Sequence, residues 1–428
     1  MSQYFRQFSA AAIVAVLSMS ITPLDSRSQD STEVVVPDGT QGETMTVGRS
    51  DSVLTSNNWY EFDSRYSSLR IGGGVLYDWV TYIQDEESRK QISVSPKIQL
   101  RDFRIFMSGK IKTKRFVTWK FGIMYDASVS SWLARETGIM IGVPEVAGNV
   151  FIGRTKEGFS LNKVMTGYLG WTMERQMALD VIPILADGIK YMGFLPKQRI
   201  FWNAGAYVDW LTEKQSFATY EKQFVLRFGV LPVFSEENKS LIHVGVNYRY
   251  GIPDNKKIRV RSRPESNPSP YFLDTDVFPA DHSNHLGWEV YFSSGGLMIG
   301  SEGYFTKFSS PEKNNPLFKG GDAVISYILT GESRPYTTVS GVYSAVKAKN
   351  PVFSGGPGAI EFILRYSILN LNDAGITGGQ FWRITPMINW YMSDFLRLEL
   401  AYGYGVLDRF GLRGTTQFFQ SRIQFAVL

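Results

Sequence analysis

The sequence predicts a transmembrane antiparallel β-barrel of roughly sixteen strands. Three observations carry this. Apolar and polar residues alternate in segments of about ten, separated by Gly, Pro, Asn, Asp or Ser, from residue 67 to the end. Aromatic residues make up 14% of the chain and there are 40 glycines, which suits pleated surfaces and tight turns. Beyond the N-terminal stretch no window is long and apolar enough for a spanning helix, so any crossing of lipid falls to a closed barrel.

The individual segments show the pattern. In FLRLELAYGYG, Leu396, Leu398, Leu400, Tyr402 and Tyr404 share one face, while Arg397, Glu399 and three small residues share the other. In AIEFILRYSIL, Ile360, Phe362, Leu364 and Tyr366 oppose Glu361 and Arg365. SLIHVGVNYRYG sets Val244, Val246 and Tyr248 against His243, Asn247 and Arg249. An apolar face ending in Tyr fits lipid and its interface. Strands are expected to start near residues 68, 97, 115, 148, 188, 199, 220, 239, 256, 283, 296, 319, 358, 378, 395 and 416. A barrel of that size encloses a water-filled lumen.

The chain divides into three parts. Residues 1–28 read as a cleaved signal peptide: Arg6, an apolar run from Phe8 to Ile21, then small residues around Arg27. Residues 29–66 are polar and irregular and read as a flexible periplasmic segment. Residues 67–428 form the barrel, placed in the outer membrane of the cell. Two connections, 155–187 and 331–357, are too long for turns and are expected to fold inward and narrow the lumen.

Composition removes several function classes. The chain has no Cys and a net charge of +5, so disulfides, thiolate catalysis and Cys-bound zinc are excluded. His282 and His285, with Asp281, stand in a turn-rich stretch and lack further metal ligands; no metal or cofactor is expected. The Gly72–Gly74 run lies in a strand-like segment, not in a phosphate-binding turn. No catalytic constellation stands out, and nothing points to nucleic acid.

The charge pattern points to anions. Lys257, Arg259, Arg261 and Arg263 recur at every second residue, so a strand places all four on one face, about 6–7 Å apart. On a lipid face each would cost about 2–4 kcal/mol at mid-depth. Two readings remain: a ladder of guanidinium groups in the lumen, or an exposed basic strand end. Arg101, Arg104 and Arg154 are further candidates for anion binding along the pore. Lys156, Lys163, Arg175, Arg334, Lys347 and Lys349 are candidates in and beside the long connections. Arg101 and Arg104 cannot share a face of a regular strand.

SYILTGESRPY (326–336), AVKAKNPVF (345–353), LRYSILNLNDAGITGGQ (364–380) and NWYMSDFLRLELAYGY (389–404) together resemble the phosphate-selective porin O and P family. Upstream, RDFRIFMSGK, FIGRTKEGFSL and IRVRSRPE match its order. The resemblance implies a sixteen-stranded homotrimeric porin passing small anions, phosphate foremost. It also implies an arginine ladder, with Arg259 and Arg261 as members, and a lysine constriction that includes Lys163. Asp102 directly after Arg101 departs from the family's adjacent basic residues. The alternative is a general, weakly selective porin or an uptake channel for other small solutes.

Overall fold

The computed structural model describes residues 55–58, 60–126, 130–208, 220–237 and 239–428. The expected signal peptide lies outside the described residues.

Sixteen antiparallel strands close into one barrel. They are β1 (Ser68–Gln84), β2 (Lys97–Lys112), β3 (Phe116–Asp126), β4 (Thr137–Val143), β5 (Gly148–Thr155), β6 (Ala186–Leu195), β7 (Ile200–Val208) and β8 (Tyr220–Ser235). The remainder are β9 (Ser240–Pro253), β10 (His282–Ser294), β11 (Leu297–Ser309), β12 (Leu317–Ile328), β13 (Ala359–Asp373), β14 (Ile376–Tyr391), β15 (Leu396–Arg409) and β16 (Leu412–Val427). Each pairs with its sequence neighbour, and β16 closes on β1 from Thr416↔Gln84 to Val427↔Gly73.

Alternation drives this closure. Along β9 the outward Val244, Val246 and Tyr248 are exposed, while His243, Asn247 and Arg249 are buried inside. The same holds for Phe362, Leu364 and Tyr366 against Glu361 and Arg365. A protein whose exposed face is apolar and whose interior is charged matches a lipid surround and a polar lumen.

Fifteen of the expected strands fall within a few residues of observed ones, and one does not. The segment from 256 is no wall strand. Lys257–Ser262 pairs only with Leu273–Pro279, in a separate two-stranded hairpin. The unforeseen wall strand is β4. Its sequence TGIMIGV carries no charge, so its two faces differ little in polarity and the alternation is masked. The stretch expected to be flexible also contributes structure: Thr55–Asn58 and Glu61–Asp63 pair with each other, and Glu61–Asp63 pairs with β1.

Three connections fill much of the lumen. Residues 156–185, between β5 and β6, and 254–281, between β9 and β10, enter from one end. Residues 329–358, between β12 and β13, enter from the opposite end, where β1 starts. The first two share an apolar core against inward residues of the far wall, including Phe308, Phe318, Phe381 and Phe418.

Candidate functional site: the lumen constriction

The connection 156–185 has little regular structure, so its backbone polar groups need partners. The wall supplies them. The N–H of Leu161 donates to Glu289 on β10 (2.5 Å) and that of Asn162 to Glu302 on β11 (2.9 Å). The Ser160 N–H donates to Asn247 Oδ1 at 3.0 Å. These contacts hold the start of a one-turn helix, Leu161–Val164, whose unpaired N–H groups suit carboxylates. Further along, Asn389 donates to the Trp171 carbonyl (2.8 Å), Arg397 to Gly170 (2.7 Å) and Arg365 to Glu174 (2.9 Å).

Most inward arginines of the wall are thereby used as clamps. Arg249 pairs with Glu157 of the loop at 2.8 Å. Arg227 pairs with Glu289 (2.7 Å) and donates to the carbonyls of Ser340 and Gly341, holding the connection from the opposite end. All are buried. An ion pair in such a place orders the loop; its charges are spoken for.

The space left open lies beside β1 and β2. An open cavity is lined by Arg101, Lys163, Glu174, Arg175, Asp180 and Arg263, among others. A second is lined by Arg101, Asp102, Arg104, Arg175 and Arg422 among others. Arg101, Glu174 and Arg175 border both. Arg101 reaches this position because β2 is irregular. Leu76 pairs with Asp102 and Tyr77 with Leu100, so Arg101 is an extra, bulged residue. The bulge lets Arg101 and Arg104 both enter the lumen, which a regular strand forbids.

The charges at this junction are unequal. Arg101 binds Glu174 through two hydrogen bonds, 2.8 and 3.1 Å. Arg104 pairs with Asp102, which also accepts from the Tyr168 hydroxyl at 2.6 Å. Arg175 differs. Its donors reach the neutral carbonyls of Asn162 (2.9 Å) and Met165 (2.8 Å). Among the described residues no carboxylate lies within 4.0 Å of it. Arg104 and Arg175 flank Gly167, where a side-chain carbon would meet both guanidinium groups at 3.9 Å. On the same loop, burial pushes the Lys163 ammonium down to about 8, against the pull of Glu157. Burial pushes the Asp180 carboxyl up to about 7.

The structure sorts the sequence candidates. Arg101, Arg104, Lys163, Arg175 and Arg263 come together around the cavities. Lys257, Arg259 and Arg261 do share a face, but on the hairpin and not on the wall. Ile258 and Val260 bury the other face in the loop core, leaving Lys257 and Arg259 exposed and Arg261 half-buried. Arg259 is held by Asp274 at 2.6 and 2.8 Å, and Arg261 lies over the Tyr271 ring. Arg154 borders neither cavity; it is buried and pairs with its cross-strand neighbour Asp187 at 3.0 Å. Arg334 is likewise buried against Glu361 at 2.7 Å. Lys156 is buried and donates to the Met165 carbonyl at 2.7 Å. Lys347 and Lys349 are exposed on the 329–358 connection. His282 stacks on Tyr250, while His285 points inward to Ser283 and Thr306, so the two histidines do not converge.

The sequence reading did not single out Lys120 and Lys190 on the wall. Lys120 and Lys190 flank the Phe151 ring, 4.9 and 5.7 Å from its centre. Their signal was present: each is the polar member of an alternating strand, followed two residues later by Gly or Met on the same face.

The profile of the family described as phosphate-selective porin O and P matches residues 69–426. The chain belongs to that family. This porin superposes on OmpT of Vibrio cholerae with a TM-score of 0.52 at 11% identity, covering 85% of this chain and 99% of that one. It is similarly close to an anion-selective porin from Comamonas acidovorans, with a TM-score of 0.52, 13% identity and coverage of 84% and 100%. An uncharacterised Caulobacter vibrioides protein is 34% identical over 146 residues, a match spanning 34% of this chain and 29% of that protein. Family and fold place this porin among outer-membrane channels.

Proposed function

We propose that this porin lets small anions diffuse passively through the outer membrane, inorganic phosphate foremost. The observation that carries this is Arg175. Among the described residues it has no carboxylate within 4.0 Å, and it is set beside Arg104 where the two cavities meet. A planar fork of donors suits phosphate oxygens and keeps its charge throughout the working pH range. Hairpin residues Lys257, Arg259 and Arg261 form the outer approach and Arg263 reaches the cavity. Lys163 adds a further cation at the constriction, and Lys347 and Lys349 draw anions at the opposite end. The name of the family and the anion selectivity of the Comamonas neighbour agree with this reading. A trimer is proposed from the trimeric form of Vibrio OmpT, and export from the signal-like residues 1–28.

A weakly selective porin is the second reading. It is favoured by Asp102, Glu174 and Asp180, which stand among the cations. Reversal potentials in planar bilayers separate the two, first with chloride and then with phosphate as permeant ion. Anion preference with chloride current reduced by phosphate is expected. Cation preference overturns the proposal, and anion preference without phosphate block leaves the weakly selective porin.

A further inference from the structure

The cavity that holds Arg101 and Arg175 has two kinds of wall. One is cationic. The other is formed by Leu179, Ile182, Pro183 and Ile184 of the constriction loop, with Asp180 between them, and Ile184 keeps 39% of its surface exposed. An exposed isoleucine opposite guanidinium groups does nothing for a fully hydrated inorganic ion. It does offer contact to a solute with an apolar body.

The protein also shows what Arg101 prefers to hold. Glu174 lays its carboxylate on Arg101 in a two-point pairing, with Oε1 also accepting from Arg422 at 2.6 Å. The side chains of Arg101 and Glu174 remain 19% and 18% exposed, so the pair is open to exchange. It lies where both cavities abut.

We infer that Glu174 is a built-in stand-in for the passing solute, and that the constriction takes organic monocarboxylates whose apolar body rests on Ile184. The solute carboxylate displaces Glu174 from Arg101, and Arg422 retains Glu174 meanwhile. Exchange between a tethered and a free carboxylate keeps the binding shallow enough for release. This rests on the anion-channel reading and adds organic monocarboxylates to the small anions the channel passes.

The test uses the full-length protein in planar bilayers at constant neutral pH, with chloride carrying the current. Acetate, benzoate and inorganic phosphate are titrated separately as blockers. Benzoate should block at about tenfold lower concentration than acetate, the gain a partly covered ring brings. Ile184→Asn, an exposed loop position, should shrink that gap to about twofold or less. Glu174→Gln should strengthen block by both carboxylates about three- to tenfold, because the tethered competitor is gone. Equal block by acetate and benzoate in the unmodified protein overturns the inference, as does an unchanged gap in Ile184→Asn or weaker block in Glu174→Gln. If the pore still prefers anions in those cases, only this inference is lost. Cation preference removes both it and the proposal it rests on.

Discussion

Arg422 donates from Nε to Oδ1 of Asp78 at 2.6 Å, across the seam where the last strand closes on the first. The same guanidinium binds the Met173 carbonyl and Glu174 of the constriction loop. One side chain therefore ties barrel closure to the position of the constriction. Replacing it by Ala leaves Asp78 without this partner in a buried place, a loss of about 3–5 kcal/mol. Arg422→Ala should unfold at lower urea concentration than the unmodified barrel, and its single-channel conductance should scatter more widely. A variant with unchanged urea midpoint and conductance would show that the seam does not depend on this contact.

Arg175 can be removed more gently. Its partners are carbonyls of its own loop, so Arg175→Gln deletes a charge without stranding a carboxylate. The fold should persist, with heat resistance in detergent unchanged. Anion-over-cation permeability should fall about three- to tenfold, the effect of one charge a few ångströms from the path at intermediate dielectric. Reversal potentials in a chloride gradient read this directly.

Glu289 joins the loop helix, through the Leu161 N–H, to Arg227 on β8. Glu289→Ala should free the start of the helix and leave Arg227 uncompensated, costing about 3 kcal/mol or more. The expected signature is flickering open-channel current with a raised mean conductance, as the loop leaves the wall. Glu289→Gln keeps an acceptor for the N–H and should flicker less. Equal noise in the two variants would assign the effect to the charge pair rather than to the helix anchor.

These contacts also show what the sequence could and could not reveal. Alternation around Arg397, Glu399 and Arg365 identified wall strands, because each inward charge needed the lumen and each outward apolar residue needed lipid. Alternation around Lys257 and Arg259 looked the same, yet Ile258 and Val260 bury against Met177 and Val181 of the constriction loop instead of lipid. Periodicity establishes that a strand has two faces; it does not say what covers the apolar one. Arg101 needed a bulge that no spacing rule announces. Arg365 and Arg397 find their partners in carbonyls of a loop some two hundred residues away. Their role as clamps was therefore invisible from their own segments.

The hairpin arginines make a different prediction from Arg175. Arg259 is exposed and paired with Asp274, and Arg261 is half-buried over Tyr271. Charges so placed act through a screened field on approaching ions. Arg259→Ala with Arg261→Ala should lower chloride conductance about twofold at 0.01–0.1 M salt and leave it nearly unchanged near 1 M, where the screening length is about 3 Å. A loss of equal size at every salt concentration would mean that these residues bind the ion directly.

Asp180 should make selectivity depend on pH. It lies on the constriction loop, accepts from the Ser262 hydroxyl at 2.8 Å and borders the cavity with Glu174 and Arg263. Burial raises its carboxyl to about 7, while Ser262 and Arg263 pull the other way. Below that pH the group is neutral; above it a negative charge enters the cavity. Anion preference should therefore decline as pH rises through about 7; Asp180→Asn should keep the low-pH value up to pH 7 and show only the smaller decline near 8 that loss of the Lys163 charge brings. The stability effect has the same sign. The folded protein holds this proton up to about 7, whereas an unfolded carboxyl releases it near 4, so this group's contribution falls between those values as pH rises. Bilayer recordings at pH 5, 6, 7 and 8 on both proteins decide it: a flat profile in the unmodified porin would mean that Asp180 is already charged throughout.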